Sequence, residues 1–121
     1  MSEPEILSLF TDWNDALQTG DPALVTALYE NGGILLPTVS NEVRHNHAEI
    51  EDYFKMFCAK GPHGVIDESN VRLFGDLAIN SGVYTFSFND GSSVQARFTF
   101  VYRCHGGDWK IVEHHSSMMP E

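Results

Sequence analysis

Apolar residues recur at three- and four-residue steps near the start of the chain: Ile6, Leu9, Phe10, Trp13, Ala16 and Leu17. That period gathers them on one stripe of an amphipathic α-helix. Ser2 and Glu5 have capping-box spacing, Pro4 suits the first turn, and Gly20 ends the helix. Asp21-Pro22 pairs an N-cap with a proline at the first helical position, which predicts a short second helix to about Tyr29. Asn31-Gly32-Gly33 stops it, and Ile34-Leu35-Leu36 reads as a short strand ended by Pro37. Ser40-Asn41 marks a turn before a second short strand around Val43. Asn46 and Glu49 again have N-cap spacing. Ile50, Tyr53, Phe54 and Phe57 then form the stripe of a third helix, closed by Gly61-Pro62.

Beyond that point the pattern changes to strands. Four are predicted: 66–74, 77–88, 94–104 and 109–117. Gly75-Asp76, Asn89-Asp90-Gly91-Ser92 and His105-Gly106-Gly107-Asp108 separate them. Three helices with one early β element, followed by a four-stranded antiparallel meander, make an α+β plan: helices laid on one face of a curved sheet.

Side-chain alternation divides the strands into two faces. With Asp90-Gly91 as a two-residue hairpin loop, Tyr84 falls opposite Arg97. The next hairpin is less constrained. It sets His115 opposite Arg97, or Glu113 or Ser117 after a slip of two. One face then carries Tyr84, Phe86, Arg97, Thr99, Val101, Ile111, Glu113 and His115, and the other Val83, Phe98, Phe100, Tyr102, Val112 and His114. Helices cover one face, so the other needs a partner surface, and a homodimer or larger assembly is expected. An arginine beneath a helical layer is costly unless paired. The polar group Tyr84, Arg97, Glu113 and His115 is therefore either a buried structural ion pair or a pocket for an anionic or polar small molecule anchored on Arg97. Trp13 and Tyr53, on apolar helix faces, would wall that pocket.

Composition narrows the function classes. The chain has 121 residues, one domain's worth, here taken as 1–121. With 7 Lys+Arg against 17 Asp+Glu, the formal charge is 7 − 17 = −10. Such a chain repels nucleic acid and anionic lipid, so neither is an expected partner. No Lys or Arg precedes Arg44, no apolar run approaches a membrane span, and no leader pattern opens the chain. A cytoplasmic protein with two reduced thiols, Cys58 and Cys104, is expected. His45 and His47 flank a capping Asn46, and His114 and His115 alternate in direction, so neither pair has the spacing of a metal site. No metal and no cofactor is expected. Cys104 beside His105 is sequence adjacency only, and no nucleophilic thiol is inferred.

An ordered set of motifs then points to a family. It runs through 13–17 (Trp-Asn-Asp-Ala-Leu), 19–22 (Thr-Gly-Asp-Pro), 35–41 (Leu-Leu-Pro-Thr-Val-Ser-Asn), Tyr53-Phe54, 81–86 (Ser-Gly-Val-Tyr-Thr-Phe), 96–102 (Ala-Arg-Phe-Thr-Phe-Val-Tyr) and 109–117 (Trp-Lys-Ile-Val-Glu-His-His-Ser-Ser). Together they resemble the bacterial stand-alone proteins related to the association domain of calcium/calmodulin-dependent protein kinase II, within the SnoaL-like group. The resemblance implies a nuclear transport factor 2-like cone and dimers formed through the sheet surface that faces away from the helices. It also implies a pocket between helices and the concave sheet. The kinase association domain goes further and builds rings of many subunits, so a homodimer or a larger ring is expected. In the kinase domain, arginines in that pocket can hold a small carboxylate. Tyr84 stands where one such arginine is expected, and the anion-binding role is carried onto Arg97 by inference. No kinase activity is implied.

Two functions are expected on this basis. The first is a homo-oligomeric association-domain-like module whose ligand site comprises Arg97, Tyr84, His115, Trp13 and Tyr53. The second is a SnoaL-like isomerase, cyclase or hydrolase. There His115 or Glu113 would act as base and Tyr84 as acid in the same pocket, a reading that rests on fold analogy.

Overall fold

The computed structural model describes residues 2–38 and 40–120. Val39, within the 35–41 motif, lies outside the described residues, as do Met1 and Glu121. The first helix, α1 (Glu3–Gln18), is capped by Ser2, whose hydroxyl accepts from the Glu5 amide. It buries Ile6, Phe10, Trp13 and Leu17, the stripe read from the sequence. The Asn14 side chain clamps it to the sheet edge. Its Nδ2 donates to the Gly64 carbonyl at 3.1 Å, and its Oδ1 accepts from the Gly64 amide at 2.8 Å.

α2 (Pro22–Thr26) starts at the Asp21 cap and ends three residues short of Tyr29. Sheet pairing claims the next residues: the Ile111 amide donates to the Leu28 carbonyl, and Tyr29 opens β1 (Tyr29–Leu36). The expected second short strand around Val43 is reduced to a single bridge, Leu35 with Arg44. α3 (His47–Cys58) follows the Asn46 cap and buries Ile50, Tyr53, Phe54 and Cys58.

The remaining strands are β2 (His63–Phe74), β3 (Leu77–Ser87), β4 (Ser93–His105) and β5 (Asp108–Met118). They form the expected antiparallel meander. β1 adds to its β5 edge in parallel, giving the order β1-β5-β4-β3-β2. Gly82 lets β2 bulge against β3, because a Cβ there would meet the Glu68 carbonyl oxygen at 1.9 Å. The helices cover one face of this curved sheet, and the core lies between the two layers.

The β3–β4 register differs from expectation by one residue, with a specific cause. The hairpin loop has three residues, Asn89-Asp90-Gly91, not two. The Gly91 amide donates to the Phe88 carbonyl at 3.0 Å, and Gly91 takes φ +85°, the left-handed conformation that closes such a loop. Tyr84 therefore pairs with Ala96, and Arg97 pairs with Val83. A slip of one residue turns every β4 side chain to the opposite face. Arg97 leaves the helix-covered side and is exposed, while Phe98, Phe100 and Tyr102 become core.

The β4–β5 hairpin turns through Gly106-Gly107, both at positive φ, with His105 paired to Asp108. A bulge at Val112 then adds one residue, so Ser117 falls opposite Arg97, as one of the anticipated slips allowed. Arg97, Thr99, Val101, Glu113 and His115 do share a face, but it is the face turned away from the helices. The bulge sends Ile111 to the inner face, with His114 and Ser116.

Candidate ligand pocket

Between α1, α3 and the concave sheet lies a cavity of about 200 Å³. Its walls are mostly aromatic and aliphatic: Trp13 from α1, Tyr53 and Phe57 from α3, Phe86 from β3 and Leu35 from β1. Trp13 is the hub of the aromatic packing. It lies parallel to Tyr84 at 6.5 Å and meets Phe54, Phe86, Phe100 and His114 edge-on. The rim carries Lys60 and an exposed Met118.

The polar groups gather at one end. β3 supplies Tyr84, β5 supplies His114 and Ser116, and Thr38 comes just after β1; all four line the cavity. The Tyr84 hydroxyl donates to Ser116 Oγ at 2.6 Å and lies 3.2 Å from His114 Nε2. Ser116 is in turn hydrogen-bonded to the Thr38 hydroxyl. On its other side His114 Nδ1 lies 2.8 Å from the Tyr29 hydroxyl, which accepts from Trp13 Nε1 at 3.2 Å. The Tyr29 backbone is held as well, since His47 Nε2 donates to its carbonyl at 2.7 Å.

Burial sets the charge state of this end. His114 is 3% exposed and stacks on Phe100 at 4.0 Å. Desolvation, aided by the nearby His115, holds its pKa down to about 3, so the imidazole is neutral near pH 7. Burial likewise pushes the Tyr29 and Tyr84 phenols well above their ordinary range, and Tyr53 up to about 12. Among the described residues, Lys60 is the only charged one lining the cavity.

Of the residues singled out in the sequence, the structure brings Trp13, Tyr53 and Tyr84 to this cavity. It does not bring Arg97, Glu113 or His115, which are exposed on the outer sheet face through the register change at Gly91. Neither Arg97 as an anchor nor His115 or Glu113 as a base can serve from there. The Arg97–Glu113 ion pair considered from the sequence is not formed either, because Glu113 faces Val101. Sequence reasoning missed His114, Ser116, Thr38, Tyr29 and Lys60. One signal was available: Phe98, Phe100, Tyr102 and His114 alternate together, and a face with three aromatics is a better core candidate than one carrying Arg97 and Thr99.

Among the described residues, no group of three or more His, Cys, Asp or Glu side chains could hold a metal ion. No helix among them is long and apolar enough to cross a membrane.

A helical layer on a curved sheet, enclosing a cavity, defines the nuclear transport factor 2-like cone. The sequence model of the calcium/calmodulin dependent protein kinase II association domain matches residues 2–120, and the chain belongs to that family. A structure assigned to the same association domain, from Xanthomonas campestris, is 52% identical. The match covers 100% of this chain and 90% of that one, with a TM-score of 0.96. More distant structures share the fold. A nuclear transport factor 2-like protein of unknown function from Pseudomonas putida is 21% identical over 95% of this chain and 84% of that one, TM-score 0.82. A nuclear transport factor 2-like superfamily protein from Salmonella enterica is 17% identical over 98% and 91%, TM-score 0.81. No curated protein sequence matches the chain.

Proposed function

We propose that this chain is a homo-oligomeric binding module. Its cavity takes a small molecule with an apolar body and one polar end, and its outer sheet face joins it to further copies of itself. The observation that carries the ligand reading is the cavity's division into an aromatic wall and a hydroxyl cluster, Tyr84, Ser116 and Thr38. Such pockets, mostly apolar with a few convergent polar groups, are typical of small-molecule sites. Family membership supports self-association. So does the outer face, where Ile79, Val83 and Val101 are only half covered.

The cavity favours binding over catalysis. Glu113 and His115 lie outside it, and both ring nitrogens of His114, the imidazole inside it, are engaged by tyrosine hydroxyls. A general base needs a free acceptor within reach of its substrate. Native mass spectrometry tests both halves of the proposal. An oligomer that retains or takes up small-molecule mass is the expected result. A monomer would overturn the assembly reading. Failure of a panel of small aromatic and aliphatic polar compounds to bind would overturn the ligand reading.

A further inference from the structure

The hydrogen bonds at the polar end form one chain: Trp13, Tyr29, His114, Tyr84, Ser116, Thr38. Its two ends are not equivalent. An indole N–H can only donate, so Trp13 donates to the Tyr29 oxygen. The Tyr29 hydroxyl then has its own hydrogen to place, and among the described residues His114 Nδ1 is the only other partner its oxygen meets. Tyr29 is 1% exposed, so water does not offer an alternative. Nδ1 must accept, which puts the imidazole hydrogen on Nε2, facing Tyr84. Tyr84 accepts there and passes its hydrogen to Ser116, and Ser116 passes its own to Thr38. The reverse order places the imidazole hydrogen on Nδ1. It would then strand the Tyr29 hydrogen in the core, which a fully buried donor does not tolerate cheaply.

The hydrogen left over is that of Thr38. Thr38 is half-buried, lines the cavity and has no second partner among the described residues. We infer that the relay from Trp13 to Thr38 makes the polar end of the cavity a directed hydrogen-bond donor, which selects ligands presenting an uncharged acceptor such as a ketone, aldehyde or amide carbonyl. This rests on the small-molecule reading above and narrows it. A ligand that only donates would have to use spare lone pairs and leave the Thr38 hydrogen unspent. A carboxylate would meet a neutral imidazole and hydroxyls with no cation among them, since Lys60 stands at the rim over Phe88. A desolvated anion is poorly served by neutral donors alone.

Two measurements on the full chain test the inference separately from the pocket reading. Nitrogen-15 NMR of the histidine rings, assigned with His114→Gln, reports the tautomer. The relay requires the His114 hydrogen on Nε2, and finding it on Nδ1 overturns the relay whether or not ligands bind. Binding is then compared by calorimetry for acetophenone and α-methylstyrene, which share a shape and differ by C=O against C=CH2. The ketone is expected to bind at least about tenfold tighter, and Thr38→Val, which keeps the shape, is expected to erase that difference. Equal affinity in the unaltered protein, or a difference that survives Thr38→Val, overturns the donor assignment. Phenylacetate binding more tightly than acetophenone overturns the preference for a neutral acceptor. Binding of none of the probes overturns the pocket reading itself, and the carbonyl assignment with it.

Discussion

His114 shows how much of this protein is decided by single side chains. Its ring is neutral because it is enclosed between Phe100 and two tyrosine hydroxyls. That burial sets the sign of the pH effect. A histidine with a folded pKa of about 3 against an ordinary 6.5 takes up protons far more readily when unfolded. Its contribution is intact above about pH 6.5 and is lost progressively as pH falls toward 3. In urea denaturation, His114→Gln is expected to be less stable than the unaltered protein near neutral pH. That gap is expected to narrow by roughly 2–3 kcal/mol between about pH 7.5 and pH 4.5. A constant gap would mean that His114 is not buried in neutral form. At this scale Trp13 and Tyr53 read as pocket walls, because aromatic residues on apolar helix faces go inward, and Tyr84 reads as one of a polar group; all three line the cavity. It did not single out His114 over its neighbour His115, since only strand register tells two adjacent histidines apart.

At the scale of elements, helices were more legible than hairpins. Caps and apolar stripes are local, and Ser2, Asp21 and Asn46 cap the helices they were read to cap. A hairpin's register instead turns on the number of residues in its loop. Asp90-Gly91 reads as a two-residue turn, but Asn89 joins it and Gly91 closes a three-residue loop. The difference moves Arg97 from the core side to the solvent side. Deleting Asn89 provides a direct check. It leaves Asp-Gly between Phe88 and Ser92, a favourable two-residue turn that preserves the Ser87–Ser93 pairing. The variant is expected to fold with stability within about 1 kcal/mol of the unaltered chain, as measured by denaturant titration. Deleting a residue inside β4, such as Gln95, inverts part of the strand and is expected to abolish cooperative unfolding.

At the scale of the whole molecule, the proposed function assigns a different role to each sheet face. The inner face with its helical layer makes the cavity, and the outer face carries Arg97, Glu113 and His115 beside half-covered apolar residues. Arg97→Glu is therefore expected to leave the melting temperature of the fold nearly unchanged, and ligand binding intact, while shifting the subunit number seen by native mass spectrometry. Loss of ligand binding with unchanged assembly would reverse the assignment of the two faces. The net charge of −10 adds a further expectation for an assembled protein. Like charges brought together repel, so association should strengthen as salt rises toward physiological ionic strength. Sedimentation velocity across a salt series checks this, and weakening by salt would point to an interface held by ion pairs.

The amino-acid pattern alone carried the three helices, the four-stranded meander, the α+β plan and the family, while the strand expected around Val43 proved to be a single bridge. Periodicity, caps and turn residues act over a few positions, and an ordered set of motifs is a property of the chain alone. Long-range packing set the parallel docking of β1 on β5, the bulge at Val112, and which alternating set of side chains faces the helices. Those depend on contacts between distant residues and on loop geometry. A single residue more or less in a turn, worth little energy locally, exchanges the entire inside and outside of a strand.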